Sequence, residues 1–289
     1  MEKEQIEREL AILNETHPEK WYHNFNLGHG INTIPGPPRP DNFLLRSDIV
    51  MNLLYLFLGV RSPEEVRARR LRLLDLGSAE GLQTIEAGLH GFEAVGVEGR
   101  QLFIDRAEMV RRVLAADNVT FVQGDVRRLS RDSLGAFDAV LCLGVLYHID
   151  KESMIGFIRS LSELTGRILV IDTHVDNAHS VARYDLRERG DIAGRYFGRI
   201  HWEHPLGLST AAKAARLRAS LDNEQSFWLD EDSLFTLLED HGFSYVVPVA
   251  RPFHNMNADF RRTRILLVAL KAPPVRPEPR SYTLIKAGA

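Results

Sequence analysis

Two hydrophobic periods divide the chain. In residues 1–20 the apolar positions Ile6, Leu10 and Leu13 recur at helical spacing among charges and predict a polar helix. Residues 43–59 are strongly apolar at the same spacing, with Asp41 or Asn42 as N-cap and Gly59 as stop. Between the two helices an aromatic stretch, Trp21-Tyr22-His23-Asn24-Phe25, runs into the turn-rich Ile34-Pro35-Gly36-Pro37-Pro38-Arg39-Pro40. From Leu71 the rhythm alternates. Short apolar runs at 71–77, 94–98, 119–122, 137–142 and 167–172 predict buried strands, and the segments 80–90, 101–115 and 151–164 predict helices. Strands alternating with helices at this spacing imply a parallel sheet with right-handed crossovers. The interval 174–229 breaks the rhythm; it is rich in His, Arg and aromatics, shows no convincing strand, and reads as an insertion or cap. A helix at 230–241 follows, with Asp230 three positions before Ser233 and Gly242 at its end. Two final strands, 244–249 and 263–269, precede a proline-rich tail from Pro273. The expected organisation is a helical lid segment at 1–60, a cofactor-binding half at 61–173, a substrate cap at 174–229, a closing helix and hairpin at 230–272, and an extended tail at 273–289.

Composition narrows the function more than the fold. The 289 residues carry 26% charged and 44% hydrophobic side chains, ordinary for a globular chain, and suit one large α/β domain with additions. A formal charge of −3 argues against a generally basic nucleic-acid surface. One cysteine, Cys142, rules out an internal disulfide, and its place in an apolar strand makes it a small hydrophobe rather than a nucleophile. No apolar run reaches the length of a membrane span, and Met-Glu-Lys-Glu-Gln is not a secretory leader, so the expected address is the cytoplasm.

The chemistry concentrates at Leu74-Asp75-Leu76-Gly77-Ser78-Ala79-Glu80-Gly81, between the first strand and its helix. Glycine at 77 lets the chain leave the strand tightly and brings backbone close to a ligand. Glu98 ends the second strand roughly 20 residues on, where a carboxylate accepts hydrogen bonds from a ribose diol. A dinucleotide fingerprint would need G-x-G-x-x-G, whereas this loop reads G-x-x-x-G. Glu80 at the helix start would repel a pyrophosphate and attract an ammonium group, which favours a nucleoside cofactor with an amino-acid end.

With these residues in view, the chain resembles the class I S-adenosylmethionine-dependent methyltransferases. The resemblance rests on Asp75 to Gly81, on Glu98, on Gln123-Gly124-Asp125-Val126, and on Phe137 through Leu143-Gly144-Val145-Leu146-Tyr147-His148. It covers 70–172 and resumes at 228–270. One departure is Ala79, where many members have glycine. The resemblance implies a Rossmann-like seven-stranded α/β sheet in order 3-2-1-4-5-7-6, with an N-terminal helical lid and an insertion after strand five. It implies S-adenosyl-L-methionine as cofactor: Asp75, Gly77, Ser78, Ala79 and Gly81 form the loop under its methionine part. Glu98 and Gly99 would meet the ribose, Asp125 and Val126 the adenine, and Leu143 and Gly144 the sulfonium side. More narrowly, Leu143 to His148, Ser226-Phe227-Trp228-Leu229 and the Trp21 segment look like the branch of tRNA wobble-uridine carboxymethyltransferases and their small-molecule relatives. The carboxymethylating members carry a basic Trp-Arg-Lys-Gly type of sequence near the N-terminal segment; the neutral Asn24-Phe25-Asn26-Leu27-Gly28 lacks the cation a cofactor carboxylate would want, which favours plain methyl transfer.

Methyl transfer from a sulfonium is an in-line displacement that needs an oriented nucleophile, exclusion of water and, for a hydroxyl, a base. His148, directly after strand four, is the first choice of base; it could equally cap a helix or touch the cofactor. Tyr147 beside it shapes the pocket or packs, and His174 at the end of strand five is the rival base. Asp172, His174, Asp176 and His179 invite a metal, but their spacing is no zinc signature and no metal is expected. Trp21, His23 and His29 on the lid, Arg195 in the insertion and Trp228 after it are the candidate substrate contacts. Arg183, Tyr184, Arg187, Tyr196, Arg199, His201 and Trp202 could also face an anionic or sugar-like substrate, or form a solvated face; Arg261, Arg262 and Arg264 could touch phosphate. The expected partner is a small molecule, methylated at oxygen; the alternative is a tRNA wobble uridine. No membrane partner is expected, and whether the chain forms a homodimer is left open.

Overall fold

The computed structural model describes residues 1–36, 42–249 and 262–271. The expected N-cap Asp41, Arg261 and the tail from Pro273 lie outside the described residues. Three helices come first: α1 (Lys3–Thr16), α2 (Asn42–Leu58) and α3 (Pro63–Ala68). The alternating half follows as β1 (Arg72–Leu76), α4 (Leu82–Leu89), β2 (Glu93–Glu98), α5 (Gln101–Val113), β3 (Val119–Gln123), α6 (Arg131–Leu134), β4 (Phe137–Leu143), α7 (Met154–Leu164) and β5 (Thr165–His174). The next region holds α8 (Ala178–Tyr184), β6 (Arg189–Ile192), β7 (Tyr196–Trp202), α9 (Thr210–Ala214) and β8 (Gln225–Leu229). The described chain closes with α10 (Glu231–Asp240), β9 (Tyr245–Pro248) and β10 (Arg264–Leu270).

The main sheet has seven strands in order β3-β2-β1-β4-β5-β10-β9. Strands β1 to β5 pair in parallel, and β10 and β9 run antiparallel at one end. With β9 and β10 as its sixth and seventh members, this is the order the resemblance implied. Period-two alternation of an apolar strand fills both faces. Ala139 and Leu141 of β4 and Ile168 and Val170 of β5 pack against α2 and α4, while Val140, Cys142, Leu169 and Ile171 pack against α7 and α10. The closing helix α10 starts where expected: Asp230 accepts from the Ser233 backbone N–H at 2.9 Å, and Gly242 turns away at φ 90°.

One expectation is corrected. The interval after β5 is not strandless: β6, β7 and β8 form a second, antiparallel three-stranded sheet. Its strands alternate poorly because both faces are partly covered; Gly198 sits where a Cβ would meet the β8 backbone, so β7 needs a residue that periodicity scores as weak. The order of the main sheet reverses between β1 and β4, and the carboxyl ends of β1, β2, β4 and β5 open there onto a single large cavity of about 960 Å³.

Candidate active site

The floor of the cavity is the loop after β1. Gly77 has φ 63° and Gly81 φ 83°, both in the left-handed region. At Gly81 a Cβ would stand 2.5 Å from the Phe121 ring, so glycine is set by close packing of α4 on β3. Gly81 does not line the cavity; Asp75, Gly77, Ser78 and Ala79 do. Ala79 also takes a positive φ, 46°, and its N–H donates to Glu98 Oε2 at 3.0 Å. Glu98 Oε1 accepts the Arg100 N–H at 2.9 Å. Burial raises the Glu98 carboxyl above its ordinary range, against the N–H groups of Arg100 and Ala79. A carboxylate with two N–H partners keeps lone pairs for a diol.

Glu80 does something the sequence did not suggest. Its carboxylate does not line the cavity; it is wholly buried beneath the N-terminal segment. It accepts the N–H groups of Tyr22 at 3.0 Å and His23 at 2.8 Å, and pairs with the equally buried Arg106 at 2.8 Å. Arg106 donates onward to the carbonyls of His17, Glu19 and Lys20. The ion pair therefore stitches residues 17–23 to the cofactor loop, and places Trp21, Tyr22 and His23 on the cavity wall. The ammonium partner expected of Glu80 must be sought elsewhere. Gln83 Oε1 and Ser78 Oγ are buried polar atoms of cavity residues and have no hydrogen-bond partner among the described residues. Gln83 Oε1 and Asp75 suit an ammonium, and Ser78 Oγ suits a polar group above the loop. On the adenine side, Gly99, Asp125 and Val126 line the cavity, with Asp125 gripped by Arg127 at 2.8 Å. Leu143 and Gly144 line it between the two ends. These residues fit S-adenosylmethionine.

At the other end His148 follows β4 in a short turn. Its Nδ1 lies 2.8 Å from Glu203 Oε1. Glu203 is buried, and the Ser220 N–H donates to its second oxygen at 2.9 Å. Burial would raise the Glu203 carboxyl, but the hydrogen bonds from His148 and Ser220 outweigh it and hold it below the ordinary range. An ionised Glu203 accepts, so Nδ1 donates and Nε2 is left as the acceptor nitrogen. Glu203 was missed in the sequence because no local pattern ties it to a residue 55 positions away.

His174 behaves differently. It stacks on Trp228 at 4.7 Å and 7° between planes, with Nδ1 3.0 Å from Thr263 Oγ1. Burial, aided by the charge of Arg264, pushes its pKa down to about 3, which leaves a neutral, weakly basic ring that forms part of the wall. Tyr147 packs between His148 and Trp228, and Arg264 lies 5.0 Å over its ring. Asp172 is held by Arg264 at 2.8 Å and Arg46 at 3.2 Å, and Asp176 by Arg199 at 3.2 Å. Among the described residues no group of three or more His, Cys, Asp or Glu is placed to hold a metal ion. Two candidate substrate contacts lie away from the cavity: His29 is exposed in a turn, and Arg195 pairs with Asp240 at the end of α10. Trp228, Tyr184 and His201 line it, as does Arg264; Arg262 is exposed.

Comparison with known proteins agrees with this geometry. Residues 68–198 match the methyltransferase domain family. The tRNA U34 carboxymethyltransferases of Actinobacillus pleuropneumoniae serotype 3 (strain JL03) and Haemophilus influenzae (strain 86-028NP) are 25% and 24% identical over 186 residues, 61% of this chain. The match spans 57% of the length of those curated relatives. Among solved structures, the N-terminal domain of EvdMO1 with S-adenosylhomocysteine and D-fucose superposes with a TM-score of 0.68 at 24% identity, over 93% of this chain and 97% of that one. Magnesium protoporphyrin IX methyltransferase (ChlM) from Synechocystis PCC 6803 with bound S-adenosylhomocysteine gives a TM-score of 0.51 at 18% identity, over 82% and 90%. Residues 68–198 thus carry a methyltransferase domain, set in the sheet order described above. S-adenosylmethionine is the cofactor of such domains, and the residues lining the cavity fit it.

Proposed function

We propose that this protein methylates a hydroxyl of a small molecule, with His148 as general base. The observation that carries the reading is the His148–Glu203 pair at the cavity wall, 2.8 Å long and backed by a buried carboxylate. When bound, S-adenosylmethionine supplies a methyl group made electrophilic by its positively charged sulfur. His148 Nε2 takes the proton of the acceptor hydroxyl as that oxygen becomes the nucleophile, and Glu203 stabilises the imidazolium that results. The N-terminal segment and the Tyr147, Tyr184 and Trp228 side chains exclude water and present aromatic walls to a polar, ring-shaped acceptor. EvdMO1, whose N-terminal domain was crystallised in the presence of S-adenosylhomocysteine and D-fucose, is similar in fold, and a sugar-like acceptor is the first class to screen.

A second reading is tRNA wobble-uridine modification, favoured by the two carboxymethyltransferase relatives. Against it stand the formal charge of −3 and the demand of phosphate backbones for a basic face. Radiolabelled methyl transfer to a panel of hydroxylated small molecules, with unmodified tRNA alongside, separates the two. His148→Ala is expected to lower turnover by about 100-fold or more while leaving S-adenosylhomocysteine affinity near wild type. Glu98→Ala is expected to do the reverse, weakening cofactor binding by about 1.5–3 kcal/mol. Unchanged turnover in His148→Ala would remove the base from the reading.

A further inference from the structure

From the last residue of α9, residues 214–223 cross back along the cavity as a strap, and the side chains that secure it belong to the cofactor end. Arg100, two residues beyond the ribose carboxylate Glu98, donates from Nε to the Ala214 carbonyl at 3.0 Å, and from Nη2 to those of Ala219 at 3.0 Å and Ser220 at 3.3 Å. Leu221 closes over Gly99, where a Cβ would stand 2.9 Å from Leu221 Cδ2. On the adenine side one guanidinium, Arg127, grips Asp125 of the cofactor wall and Asp222 of the strap, both at 2.8 Å. The strap's inner edge meets the base. The Ser220 N–H donates to Glu203 Oε2 at 2.9 Å, Glu203 Oε1 holds His148 Nδ1, and Asn223 Nδ2 donates to the His148 carbonyl at 3.1 Å.

The same ten-residue crossing is thus fastened to the ribose and adenine walls at one edge and to the general base at the other. The Ala219–Ser220 peptide is shared: its carbonyl takes Arg100 and its N–H orients Glu203. We propose that Arg100 is a positioning residue which, through this strap, couples an occupied cofactor pocket to the tautomer of His148, so that the base is seated only when the cofactor walls are closed. This rests on His148 being the base. The coupling is reciprocal by linkage: whatever seats Glu203 tightens cofactor binding, and loosening Glu203 weakens it by the same factor.

The test uses the full chain labelled with nitrogen-15 at histidine, with S-adenosylhomocysteine as probe and no acceptor. Long-range proton–nitrogen correlation reads the tautomer of each ring at pH 8, and His148→Gln identifies the His148 signals. In wild type with saturating S-adenosylhomocysteine, a single tautomer protonated at Nδ1 is expected. In Arg100→Met, with the probe still saturating, the Nε2-protonated form is expected to appear, and Asp222→Asn, an exposed change that spares the fold, is expected to shift it the same way. Glu203→Gln is expected to weaken S-adenosylhomocysteine binding about 5-fold or more by calorimetry. A wild-type tautomer retained in both Arg100→Met and Asp222→Asn, or unchanged affinity in Glu203→Gln, overturns the coupling and leaves the base intact. A wild-type His148 protonated at Nε2 instead overturns the assignment of the base itself.

Discussion

Asp75 is the last residue but one of β1, just before the glycine loop, buried and accepting from Thr84 Oγ1 at 2.7 Å. Burial pushes its pKa up to about 7, against the Thr84 hydrogen bond and the charge of Arg46 and with a small push from Glu98. An unfolded aspartate titrates near about 3.9, so between that pH and about 7 the folded chain keeps a proton that the unfolded chain has released. Stability therefore falls as pH rises through this window, by at most roughly 1.4 kcal/mol per pH unit for one proton. Asp75→Asn is expected to flatten that decline in urea unfolding followed from about pH 4 to about 7; an unaltered slope would show that Asp75 ionises as it does in solution. At this scale the sequence was informative where chemistry is local. The step from Gly77 to Glu98 is set by one βαβ turn, and Glu98 lines the cavity as the spacing implies. Glu203, Arg100 and the true partner of Glu80 were not readable, because each acts on residues brought near only by the fold.

Among the elements, the join of the N-terminal segment to the loop before α4 and to α5 depends on a buried ion pair, Glu80 with Arg106. Removing one partner of such a pair leaves an uncompensated charge and costs about 3–5 kcal/mol. Glu80→Gln is expected to lower thermal stability accordingly and to expose the peptide after Lys20 to trypsin, because a single amide oxygen cannot accept both from Tyr22 and His23 and from Arg106. Resistance at Lys20 with a lowered melting temperature would mean that the segment is held by Trp21 and Phe25 packing alone. Regular elements with apolar runs, β1 to β5, α7 and α10, were legible because burial on both faces leaves a continuous hydrophobic signature. The sheet β6-β7-β8 was not. In Tyr196-Phe197-Gly198-Arg199-Ile200-His201-Trp202 rings and charges interrupt the apolar pattern, since Tyr196 and Ile200 on one side meet the core while the other side runs from exposed Phe197 to His201 on the cavity.

For the molecule as a whole, the family match ends at residue 198, just before the segment that supplies Glu203 and the strap. The matched part of the chain holds Glu98, Asp125 and His148, and Glu203, which pairs with His148, lies in a part that this match does not reach. Among the described residues no helix is long and apolar enough to cross a membrane. Cys142, the chain's one thiol, lies in β4 between β1 and β5 with no exposure, and burial pushes its pKa up to about 12. Such a sulfur reacts with an alkylating reagent only after the central strands part. Iodoacetamide labelling at neutral pH is therefore expected to report global opening, and S-adenosylhomocysteine at about 100 times its Kd to slow it about 100-fold by mass action. Rapid labelling of the native chain would contradict the placement of β4. A single mass-spectrometric time course then weighs cofactor affinity with no methyl acceptor in the tube.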